Sequence, residues 1–576
     1  MTQCMAINPD KTKVMVFGAK DDEVCIKVKD TVLENVKSYK YLGVILDQQL
    51  DFTMHVDYSV SKAKRAGAKV SSLIVGRNGL PVQIGIELYK SLVRPHLEYA
   101  IPAWANISDK DLDKLEAAQV QCLKRVLGAK AHSSSAAVEV ISGIMPVRFR
   151  KRELCCREYM RIITKENGHE IINLLASSTR VGLKFCPLEY IKVMSKELDR
   201  AISGSNFVKP EIAFFGNQLV TASDCFSVLG TDSITINTGS TNDDAKVVDV
   251  GRLIVECQGK NIVIFTDGSV CEGSVGSGAC AAVLFSKSDD DDVWIQTSAV
   301  GTRVSAFECE VEGVGLGIRM AIQYLQKLQS RKTEEEVYIF CDCLNAINCI
   351  DSMNFKRRPD IFLKFQDYRK QLNDHSIRIT LVKVTGHNKI PGNEIADQQA
   401  KNVAKMIAKG NITAPSNVTV DDAYKIANEI AQKSWQRCWD HESTGRYTYH
   451  LIPTVGTRVT FPDCRDVGIS YARTLLHDTM LKSDSFRTGT SDTPLCDCGN
   501  GEETVEHYLL HCCLYADARR EMLNYMQDTG VVSHSTGNLT VPEILAPFGS
   551  NSISKKKNNF IKAALFQYIA DTKRNL

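Results

Sequence analysis

The chain has no stretch approaching 18 uncharged apolar residues, so no membrane-spanning helix is expected. It also has no basic-then-apolar leader. Met1-Thr2-Gln3-Cys4-Met5 runs into Asn8-Pro9-Asp10-Lys11, which argues against secretion. Net charge is almost absent: 70 Lys and Arg face 68 Asp and Glu, a formal +2. Nucleic-acid contact must then come from local patches, and wholesale DNA coating is excluded. No repeat with a period of about 20–50 residues is found, which removes solenoids and propellers. A composition of 44% hydrophobic and 24% charged residues excludes global disorder as well.

What is present is 576 residues, too many for one core and enough for three or four domains at about 100–200 residues each. Twenty cysteines in a chain of this size, without a leader, are expected to be reduced. The location expected is intracellular, cytoplasmic or nuclear, with no membrane association. Cysteines clustered with His become metal candidates.

Residues 1–165 are well patterned. Lys13–Phe17 and Tyr41–Leu46 each read as a strand, Val56–Leu73 and Ile84–Leu97 read as helices, and Pro95 interrupts the second helix. A further helix is expected from Leu112 to Leu127, stopped by Gly128. Residues 166–258 form a connection, and the polar, turn-rich Leu229–Val250 reads as a linker. Residues 259–408 alternate strand and helix. A linker and helical segment at 409–490 leads into a Cys/His-bearing tail at 491–576.

The α/β region carries the most informative constellation. The buried-type strand Ile262–Thr266 delivers Asp267, and Val337–Cys341 delivers Asp342. Glu310 opens an apolar helical run through Val311, Val314, Ile318 and Leu325, with Glu308 and Glu312 crowding the same position. A last strand, Ile377–Val384, precedes Gly386-His387 and then Gly392-Asn393-Glu394-Ile395-Ala396-Asp397 at a helix start. Each acid alone reads as a turn former, a cap or a surface residue. Four together, each after the right element, suit hard cations with oxygen ligands, and two such ions about 4 Å apart can clamp a phosphoryl displacement. The run Asp289–Asp292 reads instead as a solvated hairpin turn.

Phe265-Thr266-Asp267-Gly268-Ser269, the Glu310 helix, Phe340-Cys341-Asp342 and the Gly386-His387 and Gly392–Asp397 segments resemble type 1 ribonuclease H in order, spacing and context. The resemblance implies a mixed five-stranded sheet with flanking helices. It implies an endoribonuclease that cuts the RNA strand of RNA–DNA hybrids, leaving a 3′-hydroxyl and a 5′-phosphate. Two Mg²⁺ ions, replaceable by Mn²⁺, would be held by Asp267, Glu310, Asp342 and Asp397. His387 would assist proton handling and product release, and no small-molecule cofactor is implied. Cys343 stands where a Ser is common, and Lys383-Val384-Thr385 replaces an aromatic-containing loop entry.

Asn8–Phe17, Tyr41–Asp47 and Leu88–Ala100 resemble the segment just after the polymerase active site of non-LTR retrotransposon reverse transcriptases. The likeness covers about residues 5–165 and implies an α+β, largely helical polymerase remnant. The aromatic-Ala-Asp-Asp turn and the earlier palm Asp of that family are not found, so DNA synthesis is not expected. Val420-Asp421-Asp422-Ala423 is a decoy. Arg148, Arg150, Lys151 and Arg152 form the densest basic patch, read equally as a phosphate contact or a solvated helix start.

Cys496-x-Cys498, His507 and Cys512 supply four soft or borderline ligands that suit a tetrahedral Zn²⁺ site, with His511 and Cys513 as adjacent competitors. Glu503–Cys512 with Tyr515 and Arg519 resembles the zinc-binding tail of retrotransposon polyproteins. Trp435 and Trp439 resemble the segment before it, though a helix burying two indoles accounts for them. The leading expectation is therefore a hybrid-cutting nuclease from a truncated retroelement polyprotein. The alternative is a nucleic-acid-binding remnant without turnover.

Overall fold

The computed structural model describes residues 8–17, 24–28, 30–75, 79–163, 191, 193–202, 206–207, 234–237, 262–271, 276–285, 293–327, 336–355, 358–375, 377–384, 390–415, 417–418, 420–531, 540–545, 555–574 and 576. They group into two compact units. One comprises Met1–Leu198 with Ile426–Leu576, the other Asp199–Lys425.

The second unit is built on a mixed sheet. Strand β1 (Ile262–Val270) pairs antiparallel with β2 (Gly278–Phe285), which pairs antiparallel with β3 (Val293–Gly301). Helix α1 (Ala306–Lys327) follows, and then β4 (Glu336–Cys341), parallel to β1. Helices α2 (Leu344–Asp351) and α3 (Pro359–Asp374) lead to β5 (Arg378–Lys383), parallel to β4, and α4 (Pro391–Ala408) follows. The five strands stand in the order β3-β2-β1-β4-β5, and a short strand, Ile234–Asn237, adds a sixth beside β5. That strand falls inside the stretch whose polarity reads as linker. Its Ile-Thr-Ile-Asn run is too short to register as a period.

The sheet explains the apolar runs. β1 and β2 are buried on both faces, so Ile262–Phe265 and Ala279–Leu284 carry no polar alternation. Ile262 and Ile264 share a core with Val314, Ile318 and Phe365 of α1 and α3. Val263 and Phe265 pack on the other face with Phe340, Val382 and Ile390. Edge strand β3 alternates exposed and half-buried residues instead. The Asp289–Asp292 turn lies outside the described residues.

In the first unit, helix Thr53–Ile74 and helix Asp109–Leu127 form as the spacing predicts. The latter is capped by Ser108, whose hydroxyl accepts from the Asp111 N–H, and closed by Gly128 at φ 65°. Tyr41–Leu46 is not one strand. Leu42 and Gly43 both take positive φ, 47° and 89°, and turn Ser38–Tyr41 back against Val44–Asp47 as a two-residue hairpin. The Lys13–Phe17 strand is reduced to Lys13–Val14. Ile84–Leu97 becomes Val82–Leu88, a π turn over Tyr89–Val93, and Arg94–Glu98. The widened turn gives room to the Pro95 ring, which would otherwise crowd the Ser91 carbonyl.

Val56, Trp104, Leu123 and Val138 share one core with Trp435, Trp439, Tyr471, Tyr508 and Leu565. The two indoles are thus buried structural residues of helix Val420–His441. Asp421 and Asp422 open that helix, so the decoy is not a strand turn. Backbone and side-chain clasps join the two chain segments: Lys130 Nζ donates to Thr479 O at 2.7 Å, His132 Nε2 lies 2.9 Å from Asp478, and Arg473 Nε donates to Gly128 O at 2.8 Å. Among the described residues, no helix is long and apolar enough to cross a membrane.

Candidate metal centres

Asp267 sits within β1, opposite Ala281 of β2 and one step past the last β1–β4 pair, Thr266 with Cys341. Strand β1 therefore runs on beyond the acid, where the sequence suggests that it ends. Asp342 follows β4 directly. Glu310 comes from the first turns of α1, and its approach depends on Gly268. A Cβ there would stand 2.2 Å from both the Cys309 carbonyl carbon and the Glu310 nitrogen, so only glycine lets the helix lie this close to the strand. Gly392 does the same for α4, where a Cβ would overlap the Phe265 ring at 2.2 Å.

Carboxylate oxygens of Asp267, Glu310 and Asp342 lie within 4.8 Å of one another. The crowding of three glutamates resolves by partner. Glu308 accepts from Ser305 N and Oγ and pairs with Arg358, and Glu312 accepts from Lys364 at 2.7 Å. Glu310 is left to face the acids. Burial, and then Asp342 and Asp397, push Asp267 up to about 7. Burial, and then Asp267 and Asp342, push Glu310 up to about 9. Three like charges in one half-buried place repel each other and lose hydration. Asp267 Oδ2 is buried with no hydrogen-bond partner among the described residues. An unpartnered acceptor inside an all-oxygen cluster is what a hard divalent cation needs.

Asp397 stands on α4, outside that triad, and accepts from Lys401 at 2.7 Å one helical turn on. Its charge still reaches Asp267. Lys401 is a residue that sequence reading passed over; its i+4 spacing from Asp397 is the signal that could have found it. His387 and Gly386 lie outside the described residues.

The second centre is in the other unit. The Cys496–Cys498 turn is closed by a bridge between Leu495 and Glu502, and a π turn over His507–His511 presents His507. Cys496 Sγ lies 3.7 Å from Cys512 Sγ, and Cys498 Sγ lies 3.2 Å from His507 Nε2. All four donor atoms fall within 4.8 Å of one another. A tetrahedron with Zn–S of about 2.3 Å has an S···S edge of about 3.8 Å, so the donor set and its spacing fit zinc. The competitors fall outside this four-donor group: His511 is exposed near Glu506, and Cys513, also exposed, stays within side-chain hydrogen-bond reach of Cys498.

The basic patch is engaged inside its own unit. Arg148 grips Glu116 and Arg150 bonds Glu98 and Glu153. Lys151 is buried and donates to Ala105 O, and Arg152 pairs with Glu197. Helix Val147–Ile163 pairs Arg150 with Glu153 one turn on, and packs the patch against Glu98, Glu116 and Glu197, which no linear reading brings beside it.

Residues 259–405 match the family model described as RNase H. The RNA-directed DNA polymerase from mobile element jockey of Drosophila funebris is 26% identical over 165 residues, 28% of this chain and 18% of that protein. The retrovirus-related Pol polyprotein from type-1 retrotransposable element R1 of Bradysia coprophila is 34% identical over 85 residues, 15% of this chain and 8% of that one. The chain thus spans less than a fifth of the length of these curated relatives. Among solved structures, the N-terminal RNase H domain of a Mycobacterium tuberculosis protein is 18% identical, covering 27% of this chain and 99% of that one at a TM-score of 0.21. With its acidic triad at the meeting of β1, α1 and β4 and its Cys/His cluster near the C-terminus, the chain carries an RNase H domain at 259–405 and is related to the reverse transcriptase polyproteins of non-LTR retrotransposons.

Proposed function

We propose that the second unit is an Mg²⁺-dependent endoribonuclease that cuts the RNA strand of RNA–DNA hybrids. The observation that carries the reading is the convergence of Asp267, Glu310 and Asp342, with a buried, unpartnered oxygen on Asp267. Asp267 and Asp342 would hold both ions, Glu310 would complete one shell, and Asp397 would turn from Lys401 to complete the other. When bound, the ions supply positive charge against the charge developing on the phosphate. The chain's own contribution is position: Gly268 sets the reach of Glu310, and the buried wall of β1 keeps Asp267 from rotating into water. Proton handling is assigned to His387 on the likeness of its Gly-His loop.

We further assign one structural Zn²⁺ to Cys496, Cys498, His507 and Cys512.

The test is cleavage of a labelled RNA–DNA hybrid in Mg²⁺, beside the same RNA as a single strand and as an RNA duplex. Hybrid-only cleavage that vanishes in Asp267→Asn supports the assignment. A folded chain that binds hybrid and never cuts it would overturn the nuclease and leave a binding remnant.

A further inference from the structure

Outside both metal centres, the first unit carries a second concentration of cations, and these lack acidic partners. Lys40, on the hairpin strand Ser38–Tyr41, donates to the Tyr58 hydroxyl at 2.6 Å and stands 4.6 Å from that ring's centroid. Lys62, one turn along helix Thr53–Ile74, stands 4.7 Å from the same ring. Arg65 follows on the same helix, and its Nε donates to the carbonyl of Ser61 at 3.4 Å. Among the described residues none of the three forms an ion pair with a carboxylate. Nearby acids are taken: Asp57 by Lys114, and Glu98 by Arg94 and Arg150. The positive field is felt around it. The Tyr58 phenol is drawn below its ordinary value by the hydrogen bonds from Lys40 and Lys62, and half-buried His96 is lowered by burial and then by Lys62 and Arg65.

An aromatic face adjoins these charges. Tyr99, three residues past His96, is 56% exposed, and its hydroxyl donates to the Leu42 carbonyl at 2.9 Å. That bond, and the approach of the ring to Gly43, hold the exposed Tyr99 at the hairpin turn that follows Lys40 by two residues. Fixed cations spaced along a helix, beside a pinned and solvent-facing ring, suit a chain of phosphates whose bases are free to stack.

We propose that Lys40, Lys62, Arg65 and Tyr99 form a binding surface for single-stranded nucleic acid, RNA or DNA, with the cations on phosphates and Tyr99 under a base. Double-stranded ligands do not offer Tyr99 an unpaired base. The surface uses none of the RNase H carboxylates, so it stands or falls separately from the nuclease.

The experiment measures fluorescence anisotropy of labelled 20-nucleotide oligo-dT and oligo-U against the full chain in the Asp267→Asn background. Lys62→Gln/Arg65→Gln should weaken binding about 5- to 30-fold and flatten the salt slope by about 1.4, the loss of two phosphate contacts. Tyr99→Ala should weaken it at least about fivefold, whereas Tyr99→Phe keeps the ring and most of the affinity. Lys556→Gln, an exposed cation on helix Lys555–Thr572, serves as the control, and circular dichroism confirms folding. Cross-linking with 4-thiouridine in the oligo-U should map to residues 96–99 or 58–65. Patch variants that bind like Lys556→Gln, or cross-links confined elsewhere, would overturn the proposal. So would variants that lose affinity for anionic phospholipid vesicles and none for oligonucleotide.

Discussion

At the residue scale, the acid cluster sets a conflict between stability and the proposed chemistry. In the folded metal-free unit, Asp267 holds its proton up to about pH 7 and Glu310 up to about pH 9, whereas both would ionise near pH 4 in the unfolded chain. The folded state therefore binds more protons across that window, and its stability falls as pH rises. Thermal unfolding of the chain in chelator-free, metal-free buffer should show the RNase H transition dropping between pH 5 and pH 8. Added Mg²⁺ should raise it by several degrees at pH 8 and little at pH 5. Asp267→Asn should raise the metal-free transition at pH 8 and remove the response to Mg²⁺. An equal Mg²⁺ response at both pH values would contradict this account.

Lys401 makes a second residue-scale prediction. It is half exposed, so its ion pair with Asp397 is worth only about 0–1 kcal/mol, yet it competes directly with any cation for that carboxylate. Lys401→Met should lower the half-saturating Mg²⁺ concentration for hybrid cleavage by up to about fivefold. A rise in that concentration would show Lys401 helping rather than competing.

At the element scale, the site depends on how closely α1 approaches β1. Gly268→Ala puts a methyl group into the Cys309–Glu310 backbone, which cannot yield as a flexible side chain would. The variant should lose about 3 kcal/mol or more of the second unit's stability, read as denaturant midpoint, and lose cleavage with it. Gly410→Ala, where a Cβ would meet nothing within 4 Å, is a control for glycine loss as such, though its φ of +75° carries a smaller backbone cost. The apolar runs of β1 and β2 were legible in the sequence as buried strands. The sharp reversal at Leu42-Gly43 was not, because a leucine at φ 47° breaks the Asn-Gly habit of such turns.

At the scale of the whole molecule, the first unit joins distant parts of the chain in one core. Arg465 donates to Leu80 O at 3.1 Å, and the Asp478 clasp holds residues 130–133. The Cys3His cluster anchors the same core, since Val505, Tyr508 and Leu509 lie in it and Tyr568 donates to the Tyr508 carbonyl. Removal of zinc should therefore loosen helices near the chain's start as well as the tail. Hydrogen exchange after treatment with a zinc-selective chelator should quicken in Asp109–Leu127 along with 496–512. It should leave β1–β5 unchanged. Quickening confined to 496–512 would mean that the tail unfolds alone.

The sequence by itself determined which strands of the RNase H sheet are buried, because strands covered on both faces read as continuous apolar runs, and the resemblance supplied their arrangement and acids. It also offered the Cys3His set beside His511 and Cys513, and the fold brings Cys496, Cys498, His507 and Cys512 together. Among the crowded Glu308, Glu310 and Glu312 the sequence favoured Glu310 through the family's helix pattern alone. Tertiary structure decided among them through Arg358, Lys364 and the gap at Gly268. It also decided the fate of Arg148–Arg152, a strong patch in one dimension whose charges meet Glu98, Glu116, Glu153 and Glu197 in three. Local pattern fixes an element and the residue types it carries. Which charges remain free depends on neighbours tens to hundreds of positions away, and only the packed core brings those together.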